Sequence, residues 1–167
     1  MELLVRRAMR GEADAFIELM EQTKPALLRV AYGYFKADAD VADAIGETIL
    51  NAWEHIGELR KPAYFKTWLT RILINNCNRL LREARRVQPM DELPEPAGVW
   101  DSTESNLEFK ELIESLPEND RMIFVLHYGE GFTTKEISRT LDIRENTVKS
   151  RLRRGRERLR NELLQTI

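Results

Sequence analysis

The segment 131–163, GFTTKEISRTLDIRENTVKSRLRRGRERLRNEL, constrains the fold most, because it predicts two helices joined by a short connection. Thr133 and Glu136 have the spacing of a capping box, so a helix is predicted over Thr134 to Leu141. A second helix is predicted to begin near Glu145, and Asp142 is expected to cap it. This arrangement is a helix-turn-helix.

The second predicted helix has two different sides. Four apolar residues fall at helical spacings and predict a buried stripe: Val148, Leu152, Leu159 and Leu163. Residues 144–160 contain eight basic and two acidic side chains, a local charge of +6, although the whole chain is −2. A basic run alone is usually a solvated helix face. Its coincidence with a capped first helix and an opposite apolar stripe favours a recognition helix for duplex DNA.

The composition limits which other classes of protein the chain can belong to. The chain has 167 residues, is 43% hydrophobic and 32% charged, and contains no long apolar run, so no membrane insertion is expected. Its N-terminus lacks the apolar core of a secretory signal, which favours a cytoplasmic location. With one cysteine, Cys77, and two histidines, His55 and His127, no metal site, cofactor or catalytic group is expected.

The segment 87–104 divides the chain. It holds three prolines, one glycine, five acids and no basic residue, and both flanks have helical periodicity, so it is predicted to be an acidic flexible linker between two domains. Strand signals are absent, which makes the predicted fold class all-α. The helices predicted for the first domain are 2–10, 12–22, 25–35, 40–55 and 62–84.

Two helices of the first domain differ in charge. Residues 37–59 carry six acids and no lysine or arginine, a surface suited to a basic protein partner. The helix that follows opens with aromatic residues and is rich in arginine. Phe65 and Trp68 lie on its apolar stripe and are expected to pack in the core. The pattern does not assign Tyr64 to the core in the same way.

This order of surfaces resembles a bacterial sigma factor of the extracytoplasmic-function (ECF) group, in the sigma-70 family. Residues 40–53, DVADAIGETILNAW, resemble the family signature D-A-E-D-L-V-Q-E-T-F-L-x-A-W, with Gly46 in place of the usual glutamine. Residues 65–82 resemble F-x-x-W-L-x-R-I-A-x-N-x-x-x-D-x-x-R, with Arg79 where aspartate is common. Residues 131–156 resemble G-x-S-x-x-E-I-A-x-x-L-x-x-S-x-x-T-V-K-S-R-L-x-R-A-R.

The resemblance implies that residues 1–86 form a region 2-like domain, which binds core RNA polymerase and the separated strand of the minus-ten element. It also implies that residues 105–167 form a region 4-like domain, which binds the minus-thirty-five duplex, and it makes an anti-sigma partner plausible. The implied polymerase contacts are Asp40, Asp43, Glu47 and Asn51. The implied minus-ten contacts are Arg60, Lys61, Tyr64, Lys66, Asn75, Asn76, Asn78, Arg79 and Arg82. The implied minus-thirty-five contacts are Thr133, Arg144, Glu145, Asn146, Thr147, Lys149, Ser150, Arg151, Arg153 and Arg154.

Two other classes are compatible with parts of the pattern. A stand-alone helix-turn-helix regulator would use the same C-terminal motif but would leave the basic helix of the first domain unexplained. A nuclease could use acidic residues as metal ligands, although no histidine, lysine or tyrosine constellation accompanies them. Its candidate ligands are Asp38, Asp40, Asp43 and Glu47.

Overall fold

The structure is a computed structural model that describes residues 1–87 and 111–166. The described residues contain helices and no strand, which confirms the all-α fold class. The chain divides into two compact units, Met1–Ala97 and Gly98–Ile167, called here the N-terminal and C-terminal units. Apart from Val87, the predicted linker 87–104 lies outside the described residues.

Within residues 1–87, the described part of the N-terminal unit, there are four helices. They are α1 (Glu2–Ala8), α2 (Ala13–Tyr32), α3 (Asp38–His55) and α4 (Phe65–Val87), with 3-10 turns at Ile56–Glu58 and Pro62–Tyr64 between α3 and α4. In the C-terminal unit, α5 (Glu118–Phe124) continues into a π-helical turn (Val125–Gly129), and α6 (Thr134–Leu141) and α7 (Glu145–Thr166) follow.

The prediction of two helices over 12–22 and 25–35 is wrong, because α2 runs without a break past Pro25. A proline inside a helix removes one backbone hydrogen bond and normally ends the helix. Here Leu19, Leu27 and Val30 lie on both sides of the proline and are almost fully buried on one face. Pro25 itself is exposed. Tertiary packing of this continuous apolar face therefore outweighs the local cost of proline.

Helix α4 packs against α2 and α3 and supplies much of the N-terminal core. Phe65, Leu69 and Leu73 are at most 2% exposed, so the predicted packing of Phe65 in the core is confirmed. Each such side chain contributes about 1.5–3 kcal/mol on leaving water. Trp68 is only half-buried and packs beside Phe65, with ring centroids 6.1 Å apart.

The C-terminal core lies between α5, α6 and α7. Val148, Leu152 and Leu159 are buried as predicted, whereas the side chain of Leu163 lies outside the described residues. Gly155 belongs to the same stripe, and a Cβ atom added there would overlap the ring of Phe124. The close approach of α5 to α7 therefore requires a residue without a side chain at this position.

Candidate nucleic-acid interface

The first helix of the helix-turn-helix is fixed by a capping box. The hydroxyl of Thr133 accepts from the backbone N–H of Glu136 at 3.2 Å, and the Glu136 carboxylate accepts from the backbone N–H of Thr133 at 2.8 Å. These reciprocal bonds satisfy two amides that a helix start leaves open. The predicted cap and both ends of α6 are confirmed.

The connection between α6 and α7 is tight because Asp142 adopts a left-handed conformation, with φ 54° and ψ 47°. Its backbone N–H donates to the Ser138 carbonyl, and the hydroxyl of Ser138 donates to the Ile143 carbonyl at 2.6 Å. Aspartate tolerates this backbone region better than most residues. Asp142 thus ends α6, a role different from the predicted cap of α7.

The start of α7 is anchored to α6 by a carboxylate. Oε1 of Glu145 accepts from the hydroxyl of Thr134 at 2.8 Å and pairs with Nζ of Lys149 at 3.1 Å. The hydrogen bond from Thr134, followed by that from Lys149, lowers the pKa of Glu145 below its usual value. The first turn of α7 therefore presents a carboxylate held by Thr134 beside the exposed cation Lys149.

The side of α7 opposite the buried stripe is open to solvent. Asn146, Lys149 and Arg153 are exposed there, and Ser150 is half-buried with its hydroxyl donating to the Thr147 carbonyl. Arg153 pairs with Glu157 at 3.2 Å, and both side chains are about 60% exposed. An exposed pair of this kind contributes about 0–1 kcal/mol, so a nucleotide can displace it at little cost.

Arg151 is held differently from its neighbours. Its guanidinium lies 3.6 Å from Asp120 and donates to the Asn119 carbonyl at 3.1 Å, which ties α7 to α5. Arg144 and Arg154 are exposed and have no such partner within the described part of the chain. The structure thus separates an arginine that supports the helix pair from arginines that point to solvent.

In the N-terminal unit, exposed cations surround an exposed aromatic ring before α4. Tyr64 is 52% exposed, and Nζ of Lys61 lies 5.8 Å from its ring centroid. Arg60 is also exposed. Further along α4 four more of the predicted minus-ten contacts are exposed: Lys66, Asn75, Asn78 and Arg82. An exposed aromatic ring with neighbouring cations is suited to an unstacked base and its phosphates.

The prediction that Asn76 contacts DNA is corrected by the structure. Asn76 is 7% exposed, its Nδ2 donates to the hydroxyl of Thr48 at 3.1 Å, and its Oδ1 accepts from the amide of Asn51 at 3.3 Å. A buried amide with these bonds joins α4 to α3. Asn51, which was predicted to contact polymerase, is half-buried by the same link.

Arg79 and Glu47, predicted for two different interfaces, contact each other. Nη2 of Arg79 donates to Oε2 of Glu47 on α3, and Nη1 donates to Oε1 of Glu83 one turn along α4 at 2.7 Å. The hydrogen bonds to Glu83 and then Glu47 raise the pKa of Arg79. This interhelical ion pair was not anticipated from sequence.

The acidic surface of α3 also contains apolar side chains. Asp40 and Asp43 are exposed, as predicted for a protein-facing helix. Leu50 is 65% exposed, and Trp53 is 40% exposed with its ring 5.0 Å from that of Phe16. Leu50 and Trp53 were not among the predicted polymerase contacts, although their spacing of three on an acidic helix was a usable signal.

No group of three or more histidine, cysteine, aspartate or glutamate side chains in ranges 1–87 and 111–166 is placed to hold a metal ion. Within the same ranges, no helix has the length and apolar character needed to cross a membrane.

Both units match models of one protein family. Residues 19–87 match sigma-70 region 2, and residues 106–159 match sigma-70 region 4, so the two matches cover well over half of the chain. The chain belongs to the sigma-70 family. Because both units match sigma-70 regions, no observation favours the alternative of a stand-alone helix-turn-helix regulator.

Relatives of this chain include a sigma factor of the ECF group. The chain is 28% identical over 179 residues to the ECF RNA polymerase sigma-E factor of Escherichia coli, covering 97% of this chain and 93% of that protein. It is also 28% identical to the probable sigma factor RfaY of Xanthomonas campestris, but it spans only 42% of that protein's length.

A solved structure has the same fold. The sigma factor RpoE of Bartonella quintana, crystallised with the anti-sigma factor NepR, superposes with a TM-score of 0.72 at 24% identity. The match covers 90% of this chain and 96% of that one.

Proposed function

We propose that this chain directs core RNA polymerase to particular promoters and helps to open them, acting in the cytoplasm and catalysing nothing itself. The observation that carries the proposal is that both units match sigma-70 regions and each presents a surface suited to nucleic acid. One surface lies on α7 and the other on α4 with the turn before it. Two such surfaces on one chain suit the two elements of a promoter.

The C-terminal unit is proposed to read the minus-thirty-five element as intact duplex. Helix α7 lies in the major groove, where Asn146, Lys149, Ser150 and Arg153 reach base edges. An arginine or lysine in this position pairs with the O6 and N7 atoms of guanine. Exposed arginines at the margins of the helix, such as Arg154, contact phosphates and fix the position of the helix.

The N-terminal unit is proposed to hold the minus-ten element as a separated strand. Unstacking a base costs a few kcal/mol, which a protein surface must offset. The exposed ring of Tyr64 supplies a stacking platform, and Arg60 and Lys61 supply charge for the adjoining phosphates. Asn75, Asn78 and Arg82 extend this surface along α4.

Helix α3 is proposed to bind core polymerase. Exposed Asp43 and half-exposed Glu47 offer negative charge to a basic partner, and the exposed Leu50 and Trp53 add apolar area that such a contact would bury. Family resemblance implies that the partner is the clamp helices of the largest catalytic subunit. Because a similar sigma factor was solved with an anti-sigma factor, we also propose an anti-sigma partner for this chain.

Gel shifts with reconstituted holoenzyme test the DNA assignment. Arg153→Ala is expected to weaken promoter binding by about 1–3 kcal/mol and to relax sequence preference at one position, because a base contact is lost. Arg160→Ala is the matched control further along α7. It removes the same charge but should weaken all sequences equally. Unchanged promoter binding by the Arg153→Ala variant would contradict the placement of α7 in the duplex interface.

Co-purification with core polymerase tests the assignment of α3. Asp43→Arg should reduce association because it places like charges against a basic partner. Glu21→Arg makes the same change at an exposed position on α2, outside the proposed surface, and should leave association intact. Equal recovery of both variants with polymerase would count against α3.

A further inference from the structure

Two kinds of polar contact join α3 to α4 in the N-terminal unit. The first centres on the buried amide of Asn76, which is hydrogen-bonded to Thr48 at 3.1 Å and to half-buried Asn51 at 3.3 Å. The second is the ion pair of Glu47 with Arg79, in which both side chains remain about 40% exposed. Both contacts span the boundary between the proposed polymerase surface and the proposed minus-ten surface.

The two contacts differ in how easily they can be exchanged. Breaking the Asn76 link would leave the buried Asn76 amide without hydrogen bonds, so this link is costly to break. The Glu47–Arg79 pair lies at the surface, where water or another ion can replace either partner with little loss. The helices can therefore stay packed while the ion pair changes partners.

In the free chain, the ion pair holds Glu47 of the proposed polymerase surface against Arg79 of the proposed minus-ten surface. Arg79 faces two carboxylates, Glu47 and Glu83, so its positive charge is neutralised locally. A phosphate would be repelled by the same two carboxylates. Conversely, Glu47 can give its full charge to a basic side chain of polymerase only when Arg79 releases it.

We propose that the Glu47–Arg79 ion pair keeps the minus-ten surface in a low-affinity state until polymerase binds. A cation of polymerase takes Glu47, and Arg79 then turns from α3 to a phosphate of the opened strand. This inference rests on the proposed function, because it takes α3 as the polymerase surface and α4 as the DNA surface. By linkage, binding of the opened strand increases the affinity for polymerase by the same factor by which polymerase increases the affinity for the strand.

The test measures binding of a fluorescein-labelled dT20 oligonucleotide by the free full-length chain at low salt. Glu47→Gln removes the interhelical partner of Arg79 and should tighten binding about two- to fivefold, the range expected for losing one exposed ion pair. Asp43→Asn is the matched control. It removes one negative charge from the same helix, but no ion pair of Asp43 occurs in the described residues, so it should change binding less than twofold.

Variants of α4 identify Arg79 as the residue responsible. In an Arg79→Gln background, Glu47→Gln should give no gain beyond that of Asp43→Asn. Glu83→Gln, which removes the other partner of Arg79, should tighten dT20 binding while leaving affinity for core polymerase unchanged, since Glu83 is not on the polymerase surface.

The inference is overturned if Glu47→Gln and Asp43→Asn have equal effects on dT20 binding, including no effect. It is also overturned if the gain from Glu47→Gln persists without Arg79. Run-off transcription with the unmodified chain separates these outcomes from failure of the proposed function. Initiation by the unmodified chain together with equal oligonucleotide binding by the two variants would reject only the ion-pair exchange.

Discussion

Helices α4 and α7 are both long and rich in arginine, yet their buried and exposed residues are arranged differently. In α7 the buried positions are apolar or glycine, and the residues proposed for DNA lie on the opposite side. In α4 the packing side includes the polar residue Asn76, and the cation Arg79 bonds back to α3. A helical periodicity of apolar residues therefore separates core from contact surface in α7 but not in α4.

The difference follows from what each helix packs against. Helix α7 meets apolar side chains of α5 and α6, so only its apolar stripe enters the core. Helix α4 meets the polar side of α3, where Thr48 and Asn51 require hydrogen-bonding partners. Two neighbouring asparagines on α4 consequently differ in burial: Asn75 is exposed and Asn76 is buried.

The largest predicted effect concerns the tight packing of α7. Gly155→Val should destabilise the C-terminal unit by about 3 kcal/mol, because its side chain would overlap the ring of Phe124. Amide hydrogen exchange can localise the loss, with protection falling in α5 and α7 but not in α2. Unchanged protection in α5 and α7 would contradict the apolar, close-packed account of α7.

A smaller effect is expected at the polar packing side of α4. Asn76→Ala should cost about 2 kcal/mol, because buried Thr48 and half-buried Asn51 each lose a hydrogen-bond partner. Asn75→Ala, one residue away and exposed, should change stability by less than about 0.5 kcal/mol. Urea unfolding followed by circular dichroism measures both. Equal losses would remove the distinction between the two asparagines.

A gain in stability is expected on α3. Gly46 is exposed in mid-helix, and a Cβ atom added there would meet nothing within 4 Å. Gly46→Ala should therefore stabilise the N-terminal unit by about 1 kcal/mol through helix propensity. Urea unfolding provides the measurement, and a loss would show that glycine has a steric role there as it does at Gly155.

The smallest effect is a pH dependence at the start of α7. Because the folded-state pKa of Glu145 lies below its ordinary value of 4.5, its ionised form stabilises the fold. That contribution is present above pH about 4.5 and is lost as the pH falls through the lower folded pKa. Glu145→Gln should thus be slightly less stable than the unmodified chain at pH 7, with the difference vanishing in acid. A difference independent of pH would contradict the ionic anchor.

Local patterns in the sequence predicted the C-terminal motif well. The capping box of Thr133 and Glu136 and the bounds of α6 are confirmed because they depend on residues close together in the chain. Pro25 misled the prediction of α2, since a local rule could not include the burial of residues on both sides of it. The site assignments on α7 and α4 remain proposals.

Contacts distant in sequence could not be predicted. The bond between Glu47 and Arg79 joins residues 32 apart, and its existence depends on the relative rotation of two packed helices. Gly155 likewise acquires its importance only when Phe124 is brought against it. Neither relation leaves a periodic signal in a single sequence.

In vitro transcription by core polymerase with and without this chain, with start sites mapped across a genomic fragment library, tests the central claim most directly. We expect start sites that appear only when the chain is present and that share two upstream sequence elements at a constant separation, one for each unit. An identical set of start sites with and without the chain would contradict the account.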